Sequence, residues 1–171
     1  GGDEWKNDGK RPYTVLGQIQ GTYIVCQGEG NLIFIDQHAA HERILFEKFK
    51  KDYETKSIVS EKLLIPLLME LSVEESYLLD SAEEALKAIG FEIESIGEKL
   101  YAIRSFPSFV DQKNPKEIIK GMLDELSFLD KKEDGKKTIH TMLVTVACHS
   151  AIKGNFLLRK EEMDKLLENL A

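Results

Sequence analysis

The sequence predicts an α+β fold, because short β-branched segments and amphipathic helical segments follow one another without a regular alternation. Of the 171 residues, 42% are hydrophobic and 31% are charged, which is typical of a folded globular chain. Clear helix-start signals at Ser72 and Asn114 predict two helices in the middle of the chain. These observations favour mixed sheets and helices over a doubly wound parallel sheet.

The first third of the chain is predicted to form a hairpin followed by a helix. Residues 14–25 are rich in β-forming residues, and residues 31–35 are short, apolar and β-branched. Glycine and asparagine between the two segments supply a turn. Phe46 and Phe49, three residues apart, predict a helix over residues 37–53.

A proline marks the next segment as an irregular strand. Residues 58–71 are mostly apolar, and Pro66 inside them predicts an edge strand or a bulge. Ser72 and Glu75 then form the pattern of a capping box, which opens a helix. We expect Gly90 to end that helix.

The second half combines one more hairpin with three helices. Asn114 and Pro115 open a helix as N-cap and first residue. Residues 130–137 are mostly charged and predict a solvated loop. The predicted elements are strands over 91–96 and 100–103 and helices over 114–128, 138–153 and 160–170.

Charge and cysteine content restrict the partners and the setting. A net charge of −7 argues against tight independent binding to DNA, because phosphate contacts supply most non-specific affinity. The sequence contains no signal peptide and no apolar run long enough for a membrane span, so we expect a cytoplasmic protein with no membrane contact. In that setting Cys26 and Cys148 are expected to be thiols rather than a disulfide.

A candidate metal site lies where the second predicted strand meets the first predicted helix. Asp36 ends the strand, and His38 and Glu42, four residues apart, share one face of the helix. Carboxylate and imidazole together suit zinc or manganese. The alternative is an N-cap aspartate followed by a solvated histidine and glutamate.

This segment resembles a known motif. Asp36-Gln37-His38-Ala39 with Glu42 and Glu47 is similar to the endonuclease motif in the C-terminal domain of MutL-type mismatch-repair proteins. Three other segments resemble that family in the same order, and together they extend from about residue 15 to residue 158. They are an opening strand at 17–25, a sliding-clamp-binding motif at 61–66 and a helix motif at 147–153.

The resemblance implies a metal-dependent endonuclease that nicks double-stranded DNA, with Asp36, His38 and Glu42 as catalytic residues. It adds Cys148 to these three as a metal ligand. Manganese is expected for nicking, with zinc as an alternative regulatory or structural ion. Glu47, Arg43 and Lys153 are expected to support the site, although exposed charges without a role are the alternative for Arg43 and Lys153. We expect His41 and His140 to be solvated.

The clamp-binding resemblance carries one substitution. Glu61 stands where the family has glutamine, and ionised glutamate only accepts hydrogen bonds, so weaker clamp binding is expected. Leu63, Leu64 and Ile65 remain as apolar anchors before Pro66. A buried strand is the alternative.

The resemblance also implies an organisation in two lobes and a set of partners. Residues 13–56 and 133–171 would form a dimerisation lobe that carries the metal site, and residues 57–132 an inserted regulatory lobe with the clamp-binding segment. Residues 1–12 would be a linker or tag remnant. The expected partners are a second copy of the chain, the replication sliding clamp and, through the full-length chain, a mismatch-recognition protein. ATP would bind a separate N-terminal domain, and the protein would associate with the nucleoid.

The sequence departs from the resembled family at one motif. Active nucleases of that family carry a Cys-Pro-His-Gly-Arg-Pro motif that supplies metal ligands, and these 171 residues do not contain it. Two further hypotheses therefore remain. One is a non-catalytic dimerisation and docking module, and the other is a zinc-dependent hydrolase unrelated to DNA.

Overall fold

The computed structural model describes residues 13–110, 115–129, 135–152 and 156–170. Over these residues the chain forms two three-stranded antiparallel sheets and six α-helices, which confirms the predicted α+β class. Packing divides the chain into two compact units. The first combines Gly1–Ile44 with Ala151–Ala171, and the second is Leu45–Ser150.

The sheet of the first unit is an antiparallel meander in chain order. Its strands are β1 (Thr14–Ile19), β2 (Tyr23–Gln27) and β3 (Leu32–Asp36). The expectation of one continuous strand over 14–25 is wrong, because a tight turn divides that segment into β1 and β2.

That turn depends on two residues with left-handed backbone. Gln20 and Gly21 have φ angles of 53° and 58°, and the N–H of Thr22 donates to the carbonyl of Ile19 at 3.0 Å. Two successive left-handed residues match the twist of a hairpin, and glycine adopts this conformation without strain. The Gln-Gly pair was the available signal for the missed turn.

The terminal helix closes the core of the first unit. Helix α6 (Lys160–Leu170) has the predicted bounds and buries Met163 and Leu167. These two side chains pack with Val15 and Ile24, and with Cys26. The whole second unit, Leu45–Ser150, lies between these partners in the sequence, so segments from both ends of the chain contribute to this core.

Helix α1 (Gln37–Glu54) begins in the first unit and ends in the second. Its bounds agree with the predicted 37–53. In the second unit Phe49 is buried and packs edge-to-face on Phe109, with ring centroids 4.7 Å apart. The helix thus carries site residues at one end and core residues at the other.

The sheet of the second unit has the order β4-β6-β5, so β4 is an edge strand. Its strands are β4 (Ser60–Glu70), β5 (Glu92–Gly97) and β6 (Leu100–Pro107). The pairing of β4 with β6 shifts register between Lys62 and Leu67. Pro66 lies inside this shift, which confirms the predicted bulge, because proline has no N–H for the ladder.

Two short helices replace the single helix predicted after Ser72. The capping box is present: the hydroxyl of Ser72 accepts from the N–H of Glu75, and the N–H of Ser72 donates to the Glu75 carboxylate. Helix α2 (Val73–Ser81) is separated from α3 (Glu83–Ala88) by Ala82. Gly90, with a φ of 100°, follows α3 as predicted.

Two further helices contribute a large share of the second core. Helix α4 (Pro115–Ser127) buries an apolar face, and α5 (Gly135–Ser150) buries Met142 and Val146. Helix α5 has the predicted length but lies three residues closer to the N-terminus than the predicted range, 138–153. Asn114 and residues 130–134 of the predicted loop lie outside the described residues.

The second unit contains the predicted inserted segment 57–132 and also includes most of α1 and all of α5. The predicted assignment of dimerisation and regulatory roles to the lobes stays a prediction. None of the helices in the described residues has the length and apolar character of a membrane span.

Candidate metal centre

The end of β3 places Asp36 at the N-terminus of α1. The N–H of Ala39 donates to Asp36 Oδ1 at 3.1 Å, so this carboxylate caps the helix. Within the described residues of the first unit, Asp36, His38 and Glu42 do not bring three ligand atoms within 4.8 Å of one another. The predicted role of Asp36 as a metal ligand stays a prediction, and its capping role is an observation.

His38 and Glu42 form a pair on one face of α1. His38 Nε2 lies 3.4 Å from Glu42 Oε2, and both side chains are about one-third exposed. The other ring nitrogen of His38, Nδ1, lies 2.7 Å from the carbonyl oxygen of Ile152. A carbonyl only accepts, so Nδ1 must carry a proton, and in the neutral ring Nε2 then has a lone pair directed towards Glu42.

His41 binds the same residue from its other side. The N–H of Ile152 donates to His41 Nδ1 at 2.8 Å, so Nδ1 is unprotonated. Burial, and then the neighbouring His38, lowers the pKa of His41 from its usual value. The expectation of a solvated His41 is therefore wrong. His140 is exposed, as expected, but it also contacts the ring of Phe46.

Two glutamines hold the chain that follows this region. The side chain of Gln37 is fully buried and donates to the carbonyl of Phe156 at 2.9 Å. Gln18 donates to the same carbonyl at 2.8 Å and to the side-chain oxygen of Gln37. Gln18 also accepts from the N–H of Leu158 at 3.1 Å. Together these bonds attach the segment before α6 to β1 and the start of α1.

The other predicted site residues lie in different positions. Arg43 and Glu47 are exposed on α1, and Cys148 is half-buried on α5 in the second unit. Neither Cys148 nor Cys26 forms a disulfide. Lys153 lies outside the described residues.

The clamp-binding segment is part of edge strand β4. Leu64 is fully exposed and Ile65 is 81% exposed, whereas Glu61, Leu63 and Pro66 are half-buried. The alternative of a buried strand is therefore wrong for the two central apolar residues. They lie at the register shift, where the strand departs from regular pairing with β6.

The sequence profile described as the MutL C terminal dimerisation domain matches residues 16–158. The chain belongs to this family. The match begins within β1 and ends before α6, and it includes His38, Glu42 and Cys148. It confirms the family indicated by the four sequence motifs.

Similar MutL proteins extend this result. The chain is 36% identical over 159 residues to the DNA mismatch repair protein MutL of Clostridium beijerinckii, covering 93% of the chain and 24% of that protein. Identity to MutL of Bartonella quintana is 39% over 153 residues, which cover 90% of the chain and 25% of that protein. Identity to MutL of Halothermothrix orenii is 35% over 156 residues, which cover 91% of the chain and 24% of that protein. The chain thus spans about a quarter of the length of these relatives.

Proposed function

We propose that this MutL-family domain is a metal-dependent endonuclease that nicks double-stranded DNA during mismatch repair. The observation that supports this function best is the orientation of His38. Its Nδ1 is bonded to a backbone carbonyl, and its Nε2 faces the Glu42 carboxylate at 3.4 Å. Histidine ligands of metals commonly have their second nitrogen fixed in this way.

The His38–Glu42 pair fits a divalent ion. Zinc binds histidine and carboxylate ligands at about 2.1 Å, and two such ligands of a tetrahedral ion lie roughly 3.4 Å apart. The observed separation of 3.4 Å matches that spacing. One imidazole and one carboxylate suit zinc or manganese, and Glu42 is accessible enough for an ion to enter. A bound ion would supply charge neutralisation at phosphate and activation of water.

Cys148 is the proposed third ligand. It lies four residues before Ile152, which binds both His38 and His41 through its backbone. Asp36, with one oxygen bonded to the helix N-terminus, is the proposed fourth ligand or a positioning group.

Side chains of this chain would orient DNA and accept a proton from the attacking water. Glu42 has two carboxylate oxygens, one facing His38 and the other able to accept a proton from an attacking water. Arg43, exposed on the next position of α1, and Lys153 would contact phosphate, and Glu47 would support the helix. The net charge of −7 means that another component must bring DNA to the site.

The sliding clamp is the proposed component that brings the domain to DNA. Leu64 and Ile65 project from an edge strand, where exposed apolar side chains suit a hydrophobic groove. A second copy of the chain and, through the longer protein, a mismatch-recognition protein are the other proposed partners. In this proposal the regulatory lobe, 57–132, carries the clamp contact, and the dimerisation lobe, 13–56 with 133–171, carries the metal site.

Metal binding by the 171-residue chain and nicking by the longer protein test this proposal. We expect manganese or zinc to raise the melting temperature and manganese to support nicking of supercoiled plasmid. Glu42→Gln should abolish both effects, and Asp36→Asn should reduce nicking. Glu54→Gln, an exposed glutamate at the end of the same helix, is the matched control and should behave as the unmodified chain does. Equal nicking by Glu42→Gln would contradict the proposal.

A non-catalytic dimerisation and docking module is the second candidate. The capping role of Asp36 and the acidic net charge favour it. It predicts that neither ion changes the melting temperature, whereas dimerisation and clamp binding are retained. The metal titration therefore separates the two functions.

A further inference from the structure

We propose that His41 is a positioning residue for His38, acting through the backbone of Ile152. This inference rests on the proposed metal-binding role of His38. It assigns a role to a side chain that lies outside the proposed ligand set.

Both histidines bind opposite ends of one residue. The N–H of Ile152 donates to His41 Nδ1 at 2.8 Å, and its carbonyl accepts from His38 Nδ1 at 2.7 Å. His38 and His41 are three residues apart on α1, so their side chains lie on neighbouring positions of one face. Ile152 is thus fixed between two rings that the same helix carries.

Ile152 needs this support because it lies beyond the last residue of α5, Ser150. Regular helical bonds do not hold the backbone at this point, and a half-buried N–H requires an acceptor. His41 supplies that acceptor. Without it, the Ile152 peptide would lose one of the two bonds that fix its position.

The position of this peptide determines whether His38 Nε2, the nitrogen that faces Glu42, has a lone pair or a proton. The carbonyl of Ile152 keeps the proton of His38 on Nδ1. If the carbonyl moves away, His38 is free to place its proton on Nε2, where a proton blocks metal binding. Changes to groups that orient metal-binding histidines typically reduce metal affinity about 10- to 100-fold.

Three variants of His41 test this inference. Asn places its side-chain oxygen near the position of Nδ1 and so retains an acceptor for Ile152, whereas Leu offers none. Gln is a further comparison, because its oxygen reaches the position of Nε2 instead. Each variant is made in the 171-residue chain, and thermal unfolding shows that it is folded.

Nitrogen NMR of the metal-free chain measures the tautomer of His38 directly. We expect a proton on Nδ1 in the unmodified chain and in His41→Asn, and a mixture of tautomers in His41→Leu. Zinc affinity, measured by competition with a chelator, should fall roughly 10- to 100-fold in His41→Leu and recover largely in His41→Asn. If His41→Leu does not fold, His41→Gln takes its place with the same expected loss.

The outcomes distinguish this inference from the proposed function. If His38→Ala binds zinc as well as the unmodified chain does, the metal site itself is wrong. If His38→Ala loses zinc but His41→Leu, or its replacement His41→Gln, retains both zinc affinity and the His38 tautomer, only the role of His41 is wrong. Equal losses of zinc affinity in His41→Asn and His41→Leu would also overturn the role of His41, because an acceptor for the Ile152 N–H would then not restore zinc binding.

Discussion

The buried side chain of Gln37 shows how single polar groups hold the first unit together. The side chain bonds to Gln18 and to the carbonyl of Phe156. The backbone N–H of Gln37 donates to the carbonyl of Thr22 at 3.0 Å. A buried polar group that loses its partner costs about 1–3 kcal/mol. Gln37 therefore stabilises the unit through its bonds rather than through apolar burial.

Replacing Gln37 with leucine should destabilise the chain by about 1–3 kcal/mol, because the variant removes the bonds that Gln37 makes to Gln18 and Phe156. For a chain of this size, each kcal/mol lowers the melting temperature by about 2–4 °C. Calorimetry or circular dichroism measures the shift. Gln27→Leu, at an exposed position of β2, is the control, and an equal shift in both variants would contradict the prediction.

Sequence patterns identified His38 and Glu42 but not the residues that orient them. The pair was predictable because four-residue spacing on a helix places side chains together. The contacts of His38 with Ile152 and of Gln37 with Phe156 join residues 114 and 119 positions apart. Their acceptors are backbone carbonyls, which every residue carries, so the side-chain pattern gives no signal for them.

At the scale of single elements, β4 combines an edge position with a bulge. The shift in pairing around Pro66 leaves Leu64 and Ile65 exposed, although they are as apolar as the residues of the core. Exposed apolar residues on an edge strand carry a risk of aggregation. Two exposed apolar side chains on an edge strand fit the clamp-binding role that we propose for it.

Replacing Leu64 and Ile65 together with serine should abolish binding to the sliding clamp and leave the melting temperature nearly unchanged, because both side chains are exposed. Surface plasmon resonance measures the binding. Glu61→Gln should strengthen it, since glutamine restores a donor at this position. Val73→Ser, at another exposed apolar position, is the control. Unchanged clamp affinity in the double variant would contradict this assignment.

Boundaries between elements were harder to predict than the elements themselves. The bounds of α1 and α6 followed from clear apolar periodicity and agree with the structure. The helix predicted after Ser72 is interrupted at Ala82, a residue with high helix propensity, so local preference gave no sign of the break. There the packing of the second core overrides the local signal.

At the scale of the whole molecule, the sheet of the first unit has one covered and one exposed apolar face. Side chains alternate along β3, so Ile33 contributes to the core with α6 while Leu32 and Phe34 point the other way. Leu32 and Phe34 are each 58% exposed. With Ile19 and Tyr23 they form an outer face, which is the contact surface we propose for a second copy.

Replacing Phe34 with aspartate should shift the chain from dimer to monomer, because a charge in an apolar interface loses its hydration without gaining a partner. Sedimentation velocity at about 10 µM should show the change. Val73→Asp, at an exposed position of the second unit, is the control and should remain dimeric. A dimeric Phe34→Asp variant would locate the interface elsewhere.

The discontinuous first unit has a consequence for biosynthesis. His38 leaves the ribosome 114 residues before Ile152, which corresponds to roughly 6–23 s at ordinary rates of translation. During that interval the nascent polypeptide has the imidazole but not the carbonyl that sets its proton. A translation product that stops before Ile152 would therefore lack the bond that orients His38, and it would bind the proposed metal ion less tightly than the finished chain.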